Sequence, residues 1–132
     1  MKEMIYTELT ERLFLDSGEY KGYSFWIVSY GTHPCAYVEV GKQHPYYGKC
    51  GCDAFDLPIK VHGGITYGDF GLGKELSKEH FILGWDYNHY GDDSCSLGLP
   101  GKRWTTKEIF DDVKKVIEQL IKHELYLKGK IQ

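Results

Sequence analysis

Several class-defining features are missing from this chain. No run approaches the roughly twenty apolar residues that a bilayer-spanning helix needs. The opening stretch MKEMIYTELTERLFLD is interrupted by Glu3, Glu8, Glu11 and Arg12, so it lacks the apolar centre of a secretion signal and the expected location is the cytoplasm. Cysteine is sparse, with four in 132 residues, and in a reducing compartment these read as thiols, not bridges. Cys50 and Cys52 form a C-x-C pair without the two-residue gap of a zinc knuckle, and Cys35 and Cys95 stand alone. Basic residues are not in excess: 16 Lys and Arg face 19 Asp and Glu, a net charge of −3 that gives no footprint for a nucleic-acid backbone. There is no internal repeat, linker or low-complexity tract, so residues 1–132 read as a single domain. Nucleophile-elbow and H-E-x-x-H patterns are absent too, and the G-x-G of GLGK (71 to 74) lacks the strand and helix of a phosphate loop.

Aromatic residues are plentiful, with eleven Tyr, six Phe and three Trp, as suits strand-rich structure or stacking surfaces. YSFWIVSYG alternates cleanly: Tyr23, Phe25 and Ile27 point one way, Ser24, Trp26 and Val28 the other. CAYVEV is a second strand after a break at Gly31 to Pro34. IKVHGGITYG is expected to be a strand interrupted by Gly63 and Gly64, and HFILGWDYNH another, joined by the polar DFGLGKELSKE. DSGEYKG has the composition of a turn, and YTELTERLFL fits either a helix face (Ile5, Leu9, Leu13) or a strand face. From Thr105 onward the pattern is helical. Thr105 and Glu108 make a capping box, Ile109, Val113, Val116, Ile117, Leu120 and Ile121 form one stripe, and Gly129 is the expected stop. The expected fold is therefore α+β: a single antiparallel sheet of four or five strands with one long C-terminal helix packed on one face.

Two stretches concentrate unusual chemistry, HGGITYGDFG from residue 62 and GWDYNHYGDD from residue 84. Strand alternation puts His62, Gly64 and Thr66 on one side and Ile59, Val61, Ile65 and Tyr67 on the other. It likewise separates Ile82, Gly84, Asp86 and Asn88 from Phe81, Leu83 and Trp85. If the apolar sets face the helix and the strands are neighbours, His62, Thr66, Asp86 and Asn88 share one patch. Gly64 and Gly84 then leave its backbone open to a ligand or another close group. A solvated sheet face would alternate in the same way, with a plain His62–Asp86 pair. Exposed strand positions, however, usually carry Thr, Lys or Glu, not Gly-Gly. His62, Asp86, His89 and Asp92 are also a donor set acceptable to a divalent metal, although no cofactor is required by any motif. Trp85, Tyr87 and Tyr90 suggest stacking instead, and rings beside glycine backbone with Asp, His and Asn suit a nucleotide-like ligand. HPYYGK (44 to 49) is either a lid bringing Tyr46 and Tyr47 to the same end or a turn whose tyrosines cover the sheet edge.

CAYVEV, HPYYGK, VHGGITY and GWDYNHYGDD, in that order, resemble a group of small proteins encoded by bacteriophages and prophages. In that group an H-G-G-[IL]-T segment precedes a G-[FW]-D-x-x-H-x-G-D segment. The resemblance spans about residues 35 to 93, and His62, Gly63, Gly64, Thr66, Asp86, His89, Gly91 and Asp92 occupy its motif positions. It implies a setting: small phage accessory proteins often act on host physiology, including host immunity. The resulting expectation is a protein, not an enzyme by first reading, that binds a small nucleotide-like ligand and sequesters a host signal. His62, Gly63, Gly64, Thr66, Asp86, His89 and Asp92 would form its pocket, with Tyr46, Tyr47 and Trp85 as ring contacts. Two alternatives stay open: a metal-dependent hydrolase built on His62, Asp86, His89 and Asp92, and a stoichiometric inhibitor of a host defence protein. Nucleic acid and membrane are not expected partners. Free sheet edges leave homo-oligomerisation open.

Overall fold

The computed structural model describes residues 13–29, 33–73, 76–89, 91–92 and 101–131. Ile5, Leu9, Tyr90, Asp93 and Cys95, which enter the sequence expectations, lie outside that range. Strand β1 (Leu13–Tyr20) and strand β2 (Tyr23–Ser29) form a hairpin. Its two-residue turn places Lys21 at φ 49° and Gly22 at φ 86°, the left-handed pair that matches strand twist. DSGEYKG is thus mostly strand, with only Lys21 and Gly22 turning. Asp16 to Glu19 are exposed along an edge strand, where polar side chains lose nothing. Strand β3 (Pro34–Val40) pairs with β2, and a single helical turn, α1 (Cys52–Phe55), follows. Strands β4 (Tyr67–Leu72) and β5 (Leu76–Asp86) form a second hairpin, and helix α2 spans Thr106–Ile131. The order β1-β2-β3-β5-β4 makes one antiparallel sheet of five strands, and with α2 the fold is α+β as expected.

One sheet face packs on α2. Phe25, Ile27, Ala36, Val38, Phe81, Leu83 and Trp85 meet Ile109, Val113, Val116, Ile117 and Leu120, all buried. Each such Leu or Ile contributes about 1.5–3 kcal/mol over leaving it in water. The capping box forms as expected: Thr105 Oγ1 accepts from Glu108 N at 3.2 Å, and Glu108 Oε1 accepts from Thr105 N at 3.1 Å. Helix α2 runs on through Gly129 to Ile131, because an exposed glycine weakens a helix without ending it.

Three expectations are corrected. The other sheet face is not wet: Val28, Cys35, Tyr37, Leu72 and Ile82 form a second buried cluster there. DFGLGKELSKE is not simply a connection: its residues 69–72 and 76–79 are strand, and β4 pairs with residues 76–84 of β5. Residues 59–66 are not strand. Gly63 (φ 71°) and Gly64 (φ 78°) both occupy the left-handed region, so the chain turns at the very place where alternation was counted.

The loop after β3 is a packed corner. His44 is buried, with Nε2 2.8 Å from the Leu120 carbonyl and Nδ1 accepting from Tyr46 N at 3.0 Å. Those partners require the neutral Nε2–H tautomer. Burial lowers the His44 pKa below its ordinary 6.5, and the Leu120 bond and the Glu124 charge only partly oppose it. The native state therefore binds fewer protons than the unfolded chain near and below pH 6.5, so stability is full above that value and declines as pH falls through it. Losing the Tyr46 N–H bond on protonation is worth on the order of 1 kcal/mol. Urea titrations at pH 7.5 and 5 should show this loss, and His44→Gln should flatten it. An unchanged slope in the variant would discard His44 as the source.

Candidate functional site

The β3–β5 register sets the location. Cys35 pairs with Asp86 at one end and Val40 with Phe81 at the other. Asp86 closes β5, and its carboxylate turns the chain by accepting from Asn88 N at 3.1 Å, an Asx turn. Its second oxygen accepts from Thr66 Oγ1 at 3.1 Å. The next turn brings Asp92 back: its N–H donates to the His89 carbonyl at 2.9 Å, and its Oδ2 accepts from His89 N at 3.0 Å. A backbone bridge from Asp92 to Lys102, with Lys102 N donating to the Gly91 carbonyl at 2.7 Å, then delivers Trp104.

Asp92 is the centre of this arrangement and is only 3% exposed. Besides His89 N it accepts from His62 Nε2 at 2.8 Å and, on Oδ1, from Trp104 Nε1 at 2.8 Å. Burial pushes its carboxyl up, but the bonds from His62, His89 N and Trp104 outweigh that, leaving the pKa below its ordinary 3.8. An ionised carboxylate only accepts, so His62 carries its proton on Nε2 and presents Nδ1 outward from the pair. The His62 ring lies flat on Tyr87, at 5.0 Å and 7° between planes, with Trp104 tilted against it at 4.8 Å. Tyr87 is itself fixed: its hydroxyl accepts from Trp85 Nε1 at 3.0 Å and donates to Asp112 Oδ2 of α2 at 2.7 Å. Burial, reinforced by the Asp112 bond, raises its pKa far out of the titrating range.

His89 stands at 5.5 Å from His62, edge to face. Its Nε2 is 3.0 Å from Asp86 Oδ1, an ion-pair distance, yet off the line of an N–H···O bond, so this buried nitrogen has no hydrogen bond among the described residues. The ring lies directly over Gly63, where a Cβ would come within 2.1 Å of Nε2. His33, just before β3, belongs to the same neighbourhood. Burial lowers its pKa, opposed by Asp86 and, more weakly, Asp92, while His89 adds to the lowering. The result is three imidazoles and two carboxylates at one rim of the sheet.

Of the residues expected from sequence, His62, Gly63, Thr66, Asp86, His89 and Asp92 do come together. Gly64 turns the chain beside them, with nothing within 4 Å of where a Cβ would stand. The pairing differs from expectation, since His62 bonds Asp92 and not Asp86. The cluster also sits at the strand ends and not on a sheet face, because the glycine turn lifts His62 out of any strand register. Gly84 opens no ligand space; the Tyr37 ring fills it, 2.5 Å from where a Cβ would stand. Trp85 is 1% exposed within the core and offers no surface for a ligand ring. Tyr46 and Tyr47 follow the Val40 end of β3, the far end of the sheet. Tyr46 bonds His123 at 2.9 Å, and Tyr47 packs on Phe70 and Phe81. The tyrosines of HPYYGK thus cover structure and do not join the cluster. Sequence reasoning missed His33 and Trp104, whereas Tyr87, expected to stack, does so on the His62 ring. The GKRWTT segment did carry a signal for Trp104, a lone indole between cations and a helix cap.

Among the described residues, no group of three or more His, Cys, Asp and Glu side chains is arranged to hold one metal ion. None of the described helices is long and apolar enough to cross a membrane. No protein-family model, curated protein or solved structure matches the chain.

Proposed function

We propose that the chain is a binding protein for a small nucleotide-like ligand, held at the His62–His89 rim without turnover. On this reading it is a phage-type accessory protein acting in the host cytoplasm, where it withdraws a signal used in host defence. The single observation that carries the binding site is Asp92. A carboxylate this deeply buried costs several kcal/mol to desolvate, and three donors are spent on keeping it ionised. Its effect is to hold one imidazole in one tautomer, against two aromatic rings, with the other nitrogen unbonded among the described residues. That is preorganisation for recognising a polar group, and His89 beside it offers a second. The phage setting is supported by the resemblance of the CAYVEV, HPYYGK, VHGGITY and GWDYNHYGDD segments.

A second reading has one observation in its favour. An imidazole that gives one N–H to a carboxylate is the usual state of a metal-binding histidine, and His62 gives its Nε2–H to Asp92. Native mass spectrometry of protein purified without chelator, before and after denaturation, separates these readings. A retained nucleotide-sized mass, absent from folded His62→Ala protein, is the expected result. A divalent-metal mass lost in that variant would move the assignment to a metal-dependent hydrolase. A protein that stays empty with mixed nucleotides would end the ligand reading and leave inhibition of a host protein.

A further inference from the structure

A second cleft lies away from the histidine rim, between residues 58–60 and the flank of α2, with a volume of about 600 Å³. Small-molecule sites typically measure about 300–1,000 Å³, so this one has room for a compact ligand. Its walls are joined by Gln119. The side-chain amide accepts from Lys60 N at 2.7 Å and donates to the Lys60 carbonyl at 2.8 Å, so the loop is bolted to the helix on both sides. Three lysines line the opening, Lys60, Lys115 and Lys122. None has a salt bridge or hydrogen bond from its ammonium group among the described residues, unlike Lys21, Lys102, Lys114 and Lys128, which all reach carboxylates. The one acid on the cleft, Glu118, already accepts from the Tyr20 hydroxyl at 2.5 Å and lies 3.5 Å from Lys21. His123 closes the far end, its Nδ1 engaged by Tyr46.

We infer that this cleft is a binding site for a small ligand carrying two or more phosphate groups, independent of the site at His62. Three cations without an ion pair among the described residues, around one concavity on a chain whose net charge is −3, concentrate positive potential there. The cations are all lysine. Ammonium groups act as point charges on flexible stems and suit phosphate oxygens spread over a chain, whereas a single planar carboxylate is better met by an arginine fork. The bolted Gln119 fixes the Lys60 backbone against the helix that carries Lys115 and Lys122, so loop and helix do not need to come together when the ligand arrives.

The test is calorimetric titration of the whole chain with inorganic tripolyphosphate, with orthophosphate, citrate and a short single-stranded oligonucleotide alongside. Saturable one-to-one binding of tripolyphosphate, strongest of the four and weakened at about 1 M salt, is expected. The double variant Lys115→Glu, Lys122→Glu should bind at least about tenfold more weakly, while Lys78→Glu on β5 and His62→Ala should bind as the parent does. Circular dichroism and thermal melting confirm that each variant folds. If the double variant is unfolded, Lys60→Gln takes its place, since Lys60 engages Gln119 through its backbone only. Equal affinity for citrate, tighter binding of the oligonucleotide, or equal loss in Lys78→Glu would each overturn the assignment.

Discussion

Asp92→Ala is expected to lower stability by about 3–5 kcal/mol, measured as a shift in the urea midpoint at pH 7. The size follows from what the carboxylate leaves behind. Trp104 Nε1, His89 N and His62 Nε2 all donate to it, and the carboxylate they share is itself buried. Small domains are commonly stable by only about 5–15 kcal/mol, so this single change would place the chain near its limit. Asp92→Asn should cost less, about 1–3 kcal/mol, because the amide oxygen still accepts and His62 can change tautomer to receive the new N–H. The two variants also differ from the parent in acid. The Asp92 carboxyl is held below its ordinary 3.8, so the stability it provides is present above that pH and is lost as pH falls through the native value. Asp92→Asn removes that loss, and its stability should change less on going below pH 3.8. A cost under about 1 kcal/mol for Asp92→Ala would mean that the three donors find water, and the argument for a preorganised imidazole would fail with it.

The parts of this fold that sequence displays are those in which one period runs uninterrupted. In β2, Phe25 and Ile27 do face α2 while Trp26 and Val28 face away, and in β5 Phe81, Leu83 and Trp85 do the same against Ile82. Helix α2 announces both its cap and its buried stripe. Alternation fails at residues 59–66 because it assumes an extended backbone, and Gly63 and Gly64 instead adopt left-handed angles. It fails differently on the second face, where Val28, Cys35 and Ile82 are buried although one covered face was expected. The candidate cluster was half visible. Residue types and the order of segments bring out His62, Asp86, His89 and Asp92. Which carboxylate meets which imidazole depends on two turns, at Gly63 and after Asp86, whose geometry no period encodes. Trp104 and His33 come from distant segments through the Asp92–Lys102 bridge and the β3–β5 register, and only a three-dimensional fold can bring them in.

Gly63→Ala and Gly64→Ala should separate backbone geometry from the space a side chain needs. Both positions have positive φ, 71° and 78°, so alanine is strained at each by about 1–2 kcal/mol. At Gly64 nothing lies within 4 Å of the new Cβ, and that strain is the whole cost. At Gly63 the Cβ would stand 2.1 Å from His89 Nε2 and 2.5 Å from its Cδ2, closer than atoms can approach. The ring must swing away, which breaks its approach to Asp86 and its edge-to-face contact with His62. Adding overpacking of about 1–3 kcal/mol gives a total of about 2–5 kcal/mol for Gly63→Ala. Paired denaturation curves measure the difference, and His89 imidazole NMR signals should shift in Gly63→Ala but not in Gly64→Ala. The same pair examines the ligand reading without touching a polar group. If His62 and His89 act together on a ligand, Gly63→Ala should abolish retention of the nucleotide-sized mass, while Gly64→Ala keeps it. Equal behaviour of the two variants would show that His89 is free to move, and a histidine that moves freely is not one the fold has placed for recognition.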